Sequence, residues 1–159
     1  MINIIVIAYT LICIGSDIDL PAPEISEPVI YEEALSTAPE FSDEELNLLY
    51  REINAEAGGD GPESQKACTT VILNRLFCPR YPDNITDVIY AEGQFATPSG
   101  IYTDEVKNSV NEAISEYGTP EQILPYTCYY FRADHYHDFG IPYTHYGNTY
   151  FSLSEEATD

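Results

Sequence analysis

The first basic residue of this 159-residue chain is Arg51. Nothing before it carries a positive charge, and the proline- and acid-rich stretch ahead of Ser42 places the start of a compact fold near that residue. Asp17 to Phe41 carries Pro21, Pro23, Pro28 and Pro39 with seven acidic residues and no basic one. Proline removes backbone donors and the like charges repel, so residues 16–41 read as an extended, semi-rigid linker. Ahead of it, Met1 to Gly15 is nearly all apolar. That run is short for a bilayer span, which needs roughly 20 residues. It has the length of a secretory signal, with small residues at Cys13 and Gly15 and no Lys or Arg in front. Export is the expectation, and a hydrophobic first strand is the alternative. One domain over 42–154 and an acidic tail over 155–159 complete the layout.

The whole chain has six Lys and Arg against 27 Asp and Glu, a formal charge of −21. A nucleic-acid partner needs a basic footprint, and anionic lipid repels such a surface, so neither is expected. Fourteen Tyr, six Phe and no Trp supply apolar faces tipped with hydroxyls, which suit a polar, flat-faced ligand such as a sugar. Cys13, Cys68, Cys78 and Cys128 form no C-x-x-C pair, so neither a zinc knuckle nor a redox pair is expected. Cys68 reads as a small core residue, and a Cys78–Cys128 bridge is open.

Ser42 and Glu45 make a capping box, and Leu46, Leu49, Tyr50, Ile53 and Ala57 give one apolar helical face. Gly58 and Gly59 end that helix. A second helix begins at Pro62 and runs to about Phe77, and a third follows Thr103 to Tyr117. The stretch 81–102 is mixed. Tyr126 to Arg132 and Asn148 to Leu153 read as two short aromatic-rich strands. Helices first and strands later predict an α+β fold.

At about 100° per residue, Glu56 lies roughly 70° from the centre of the first helix's apolar face and Glu52 about 110°. Glu56 thus falls at the margin of the buried stripe. A carboxyl at such a margin is partly withdrawn from water, which favours its protonated form and suits a general acid. The bland reading is a boundary glutamate that is solvated or capping an amide.

The segment Asn54-Ala55-Glu56-Ala57-Gly58-Gly59-Asp60, followed by Leu73-Asn74-Arg75, resembles the spore-cortex-lytic or cell wall hydrolase family of the SleB/CwlJ type. Arg80-Tyr81-Pro82, Asn84-Ile85, Asp87-Val88-Ile89-Tyr90, Gly93-Gln94-Phe95, Tyr129-Tyr130-Phe131 and Gly147-Asn148-Thr149-Tyr150-Phe151 follow in the family's order. The resemblance covers about Leu46 to Phe151. It implies a single muralytic domain with a lysozyme-like, lytic-transglycosylase-related fold. The catalytic glutamate of the family's E-A-x-G-E motif falls on Glu56. Gly58 stands where the family often has Arg, and Asp60 where it often has Glu. Arg132 to Tyr143 also departs from the family's Asn-Pro run.

A two-carboxylate glycosidase needs a second acid, but Asp60 and Asp87 read equally well as turn or cap residues. One glutamate suffices for lytic transglycosylation between N-acetylmuramic acid and N-acetylglucosamine, which the resemblance favours over hydrolysis and which calls for no cofactor or metal. Gln94, Tyr129, Tyr130 and Asn148 are candidate contacts to peptidoglycan glycan strands. Gln94 offers an amide; one of the two tyrosines should point inward and the other toward sugar. Asn148 either binds glycan or terminates a turn. Phe95 reads as core, and Arg75 as the partner of an acidic residue. Two rival readings stand beside this one. His135 and His137, on one face if extended, could join His145 in a metal-dependent hydrolase or amidase. The tyrosines alone would also serve a non-catalytic wall-binding module.

Overall fold

The computed structural model describes residues 38–155. The apolar leader, nearly all of the linker and most of the acidic tail lie outside these residues. Helix α1 spans Asp43–Ala57, opened by the expected capping box: Ser42 accepts from the Glu45 amide while the Glu45 carboxylate accepts from Ser42 N–H at 2.9 Å. Phe41, just ahead of the cap, packs on the core as Leu46 does. Helix α2 spans Pro62–Leu76, α3 Ile85–Ile89 and α4 Asp104–Glu116. Strands β1 (Cys128–Ala133), β2 (Ile141–Tyr146) and β3 (Thr149–Leu153) form an antiparallel sheet in the order β1-β3-β2. No described helix is long and apolar enough to cross a membrane.

Helix α2 is the axis of the domain. It touches α1, α3, α4, β1 and β2, and Ser64 through Arg75 is buried but for Lys66. A helix so largely enclosed needs partners within the protein for its polar side chains. Thr69 and Thr70 donate to carbonyls one turn back, and the Asn74 amide donates to the Pro125 and Cys128 carbonyls, both at 2.9 Å. Leu49, Ile53, Val71, Ile72, Val110 and Phe151 lie in the core around it. At its exposed flank, Lys66 reaches Glu116 of α4 at 2.7 Å.

Two elements differ from the sequence expectation. α3 occupies part of the mixed stretch, capped by Asn84, whose side chain accepts from the Asp87 amide. β2 is a third strand beside the two expected, and it contains Pro142. It is an edge strand, and proline is tolerated there because one row of its amides needs no partner; its register with β3 shifts between Pro142 and Thr144. The cysteines also resolve. Cys68, Cys78 and Cys128 are free thiols, so the 78–128 bridge does not form. Cys68 is core as expected, and buried Cys128 donates its thiol to the Ser152 carbonyl.

The β2–β3 turn leans on the loop that ends α1. Thr149 Oγ1 donates to Asp60 Oδ2 at 2.8 Å, and Gly147, at φ +54°, would place a Cβ 2.8 Å from the Asp60 carbonyl. Gly147→Ala should therefore lower stability by about 1–2 kcal/mol for the left-handed backbone alone, and further for the contact. An unchanged urea midpoint would contradict this packing.

Candidate active site

Glu56 emerges half-buried from the last turn of α1. Its Oε1 accepts the Ala96 N–H at 2.5 Å, so the loop between α3 and α4 lies across it. The loop is pinned to α1 by Ser99. Its amide donates to the Arg51 carbonyl at 3.1 Å, its carbonyl accepts from Arg51 Nε, and Asn54 Nδ2 donates to its hydroxyl at 3.3 Å.

One turn back, Glu52 is fully buried, and neither carboxyl oxygen meets a hydrogen-bond donor among the described residues. Burial first, then the neighbouring Glu56 charge, push its pKa up to about 8. The order of burial expected from the helical wheel is thus reversed. α1 is covered by α2, α3 and α4 together, so its buried arc is wider than its own apolar stripe. The consequence for stability has a definite sign. Between pH 4.5 and about 8 the folded chain holds a proton that the unfolded chain has released. Stability from this group is complete below pH 4.5 and lost as pH rises through about 8, at up to about 1.4 kcal/mol per pH unit in between. Subtracting the denaturation profile of Glu52→Gln from that of the parent should isolate this slope; parallel profiles would contradict it.

Arg75 joins the other candidates. Buried on α2, it donates from Nε to the Tyr129 carbonyl at 2.8 Å and from Nη1 to Gln94 Oε1 at 3.1 Å. Its guanidinium lies 4.6 Å from the Phe95 ring centre and 5.5 Å from that of Tyr81. The expected acidic partner is replaced by carbonyls and rings, although its charge acts on Glu56 from a distance. Phe95 is half-buried against Phe131, as a core residue should be. Tyr129 stacks near Tyr81 at 5.5 Å and Tyr130 meets Phe139 edge-on at 5.2 Å. Both remain half-exposed, so neither takes the inward position expected from alternation. The register of β1 shifts between Cys128 and Tyr130, and that irregularity breaks the period of two.

Gln94, Tyr129 and Tyr130 are thus gathered around Arg75 and Tyr81. Asn148 is not among them: its amide donates to Asp134 Oδ1 at 2.7 Å and its carbonyl accepts the Asp134 amide, which closes the sheet's end. Asp60 is held by Thr149, and Asp87 by Asn84, as turn and cap residues. The histidines do not converge. His135 is exposed, His137 rests on the Phe131 carbonyl and stacks on Phe139, and His145 stacks on Tyr150. No cluster of three metal-ligating side chains exists among the described residues. A concavity of about 830 Å³ between Phe41, Leu76 and Pro82 takes in neither Glu56 nor Gln94. Sequence reading missed Glu52, Arg75 as a clamp, and the Ala96 amide. Arg75 had left a signal, as a cation inside an apolar helix of a very acidic chain.

Comparison with known proteins fits this architecture. Two solved structures share the fold, each with a TM-score of 0.57: the catalytic domain of the Bacillus cereus SleB protein and that of the germination-specific lytic transglycosylase SleB from Bacillus anthracis. They are 20% and 18% identical, over 71% and 73% of this chain and 92% and 99% of theirs. The lysozyme-like α+β expectation therefore holds. The spore cortex-lytic enzyme of Bacillus subtilis is 34% identical over 59% of this chain and 31% of its own length. That of Halalkalibacterium halodurans is 33% identical over 50% and 27%. The match thus spans about a third or less of these relatives. The family profile described as Cell Wall Hydrolase matches residues 59–152, starting three residues after Glu56 and taking in α2 through most of β3. By that match, over more than half its length, the chain belongs to the cell wall hydrolase family.

Proposed function

We propose that this chain cleaves the glycosidic bond between N-acetylmuramic acid and N-acetylglucosamine in peptidoglycan, as a lytic transglycosylase with Glu56 as its acid and then its base. The observation that carries this reading is the half-exposed Glu56 carboxyl, held by the Ala96 amide at the end of α1. Asp60 and Asp87 are engaged in the fold, which favours a one-glutamate route over the two flanking carboxylates of an ordinary glycosidase. Glu56 first protonates the bridging oxygen as the muramyl C1–O bond breaks. The carboxylate so formed then takes the proton of the muramyl C6 hydroxyl as that oxygen closes on C1. The product is a 1,6-anhydro ring, and no water is consumed.

Gln94, held by Arg75, presents its remaining amide hydrogens toward glycan, and the half-exposed Tyr129 and Tyr130 offer ring faces to sugars. Asn148, tied to Asp134, takes the turn role first. Relatives named as spore cortex-lytic enzymes support an exported or wall-associated protein acting on cortex, with vegetative wall as the other substrate. The test is incubation of the full chain with purified spore cortex and with vegetative sacculi. Release of soluble glycan fragments from either supports the reading. Tight co-sedimentation without release would favour a binding module, and cleavage of amide bonds an amidase.

A further inference from the structure

Glu52 and Glu56 are one helical turn apart but differ in surroundings. Glu56 opens to solvent and accepts the Ala96 N–H, with the Arg75 charge acting on it from α2. Glu52 is enclosed, and its oxygens meet no donor among the described residues. Residues four apart on a helix are neighbours on its surface, so Glu56 is the carboxyl next to it. Burial without a donor penalises the charged form, so Glu52 is held neutral and keeps an O–H to donate.

We propose that Glu52 is a positioning residue for the reaction at Glu56: its neutral carboxyl donates a hydrogen bond to Glu56 and stabilises the carboxylate that forms when Glu56 releases its proton. The inference rests on the catalytic reading of Glu56. The cycle begins once Glu56 has taken a proton from solvent with glycan in place, and Glu52 is neutral throughout. The Glu56 proton passes to the bridging oxygen, which keeps the electron pair of the broken C1–O bond. Glu56 is left as a carboxylate accepting from the Glu52 O–H and the Ala96 N–H. It regains a proton from the C6 hydroxyl as the anhydro ring closes. Glu52 exchanges no proton with substrate, and its burial keeps it from touching glycan.

The pair has a pH signature. Once Glu52 ionises, near pH 8, the donor is lost and a second negative charge stands beside Glu56. The other ionisable groups nearby are Cys68 and Arg75 on α2 and Asp60 in the loop after α1. Burial pushes the Cys68 thiol well above its ordinary range, and Arg75 stays charged. The buried faces of α3 and α4 carry no ionisable side chain.

The test compares the parent chain, Glu52→Gln, Glu52→Leu and Glu56→Gln on purified peptidoglycan across neutral and alkaline pH. Glu52→Gln keeps a permanent donor, so it should retain most of kcat and lose the alkaline fall near pH 8. Glu52→Leu should lose about 10- to 100-fold in kcat, the worth of a hydrogen bond to a charged group, with KM unchanged. Infrared spectra of the free proteins at neutral pH add a readout without substrate. A protonated-carboxyl band should appear in the parent and Glu56→Gln and vanish in Glu52→Gln. Parent-like kcat and pH profile in both Glu52 variants, or no such band in the parent, would overturn the positioning role. Should Glu52→Leu fail to fold, the Gln profile and the spectra still decide. If Glu56→Gln is inactive while the Glu52 variants match the parent, this inference alone falls. If Glu56→Gln stays active, the catalytic reading falls and the positioning role with it.

Discussion

Glu56→Gln should reduce glycan cleavage by about 10³-fold or more, because one side chain supplies both the acid and the base and each is worth about 10²- to 10⁴-fold. The substitution is nearly isosteric. Its amide oxygen can still accept the Ala96 N–H that Glu56 Oε1 accepts, so the loop should stay in place. Stability should hold or rise, since the charge that disfavours ionisation of buried Glu52 is removed. Affinity for insoluble peptidoglycan should persist, as Gln94, Tyr129 and Tyr130 are untouched. The expected phenotype is therefore a folded protein that binds sacculi and does not open them. Activity within about tenfold of the parent would contradict the assignment.

Arg75→Ala carries the second large effect, on stability as well as turnover. The guanidinium satisfies the Tyr129 carbonyl and Gln94 Oε1 and fills the space beneath Phe95 and Tyr81. Truncation strands a carbonyl in a buried setting and removes the long aliphatic stem from the core. About 3 kcal/mol or more should be lost, which lowers Tm by more than about 10 °C in a domain of this size. The loop carrying Gln94 and Ala96 loses its tie to α2, so residual folded enzyme should show reduced kcat. Arg75→Lys should recover only part, since a point charge cannot serve both acceptors at once. A Tm within about 2 °C of the parent in Arg75→Ala would show that the clamp is dispensable.

How much of this could be read from the chain depended on how local the cause was. The Ser42–Glu45 capping box and Pro62 fixed the starts of α1 and α2 because caps act within one turn. α3 escaped because five residues show no periodicity, although its Asn84 cap was in plain view. β2 escaped because Pro142 reads as a breaker unless the strand is known to lie at an edge, which only the order β1-β3-β2 reveals. The site divides in the same way. Glu56 was reachable from helix phase together with its surrounding motif. Glu52 was not, because its burial is imposed by three other helices rather than by α1's own pattern. The histidine alternative turned on extended geometry over 135–137, whereas His137 turns back to the Phe131 carbonyl. Tyr129 and Tyr130 lost their expected alternation to a register shift that no spacing rule foretells.

The central claim is that one glutamate performs both proton transfers and no water enters the product. It is tested most directly by mass spectrometry of the fragments that the full chain releases from purified peptidoglycan. The account predicts muramyl ends lighter by one water than reducing ends, absent when Glu56→Gln is used. Ordinary reducing ends would contradict it and would require a second carboxylate or an activated water that the account does not contain.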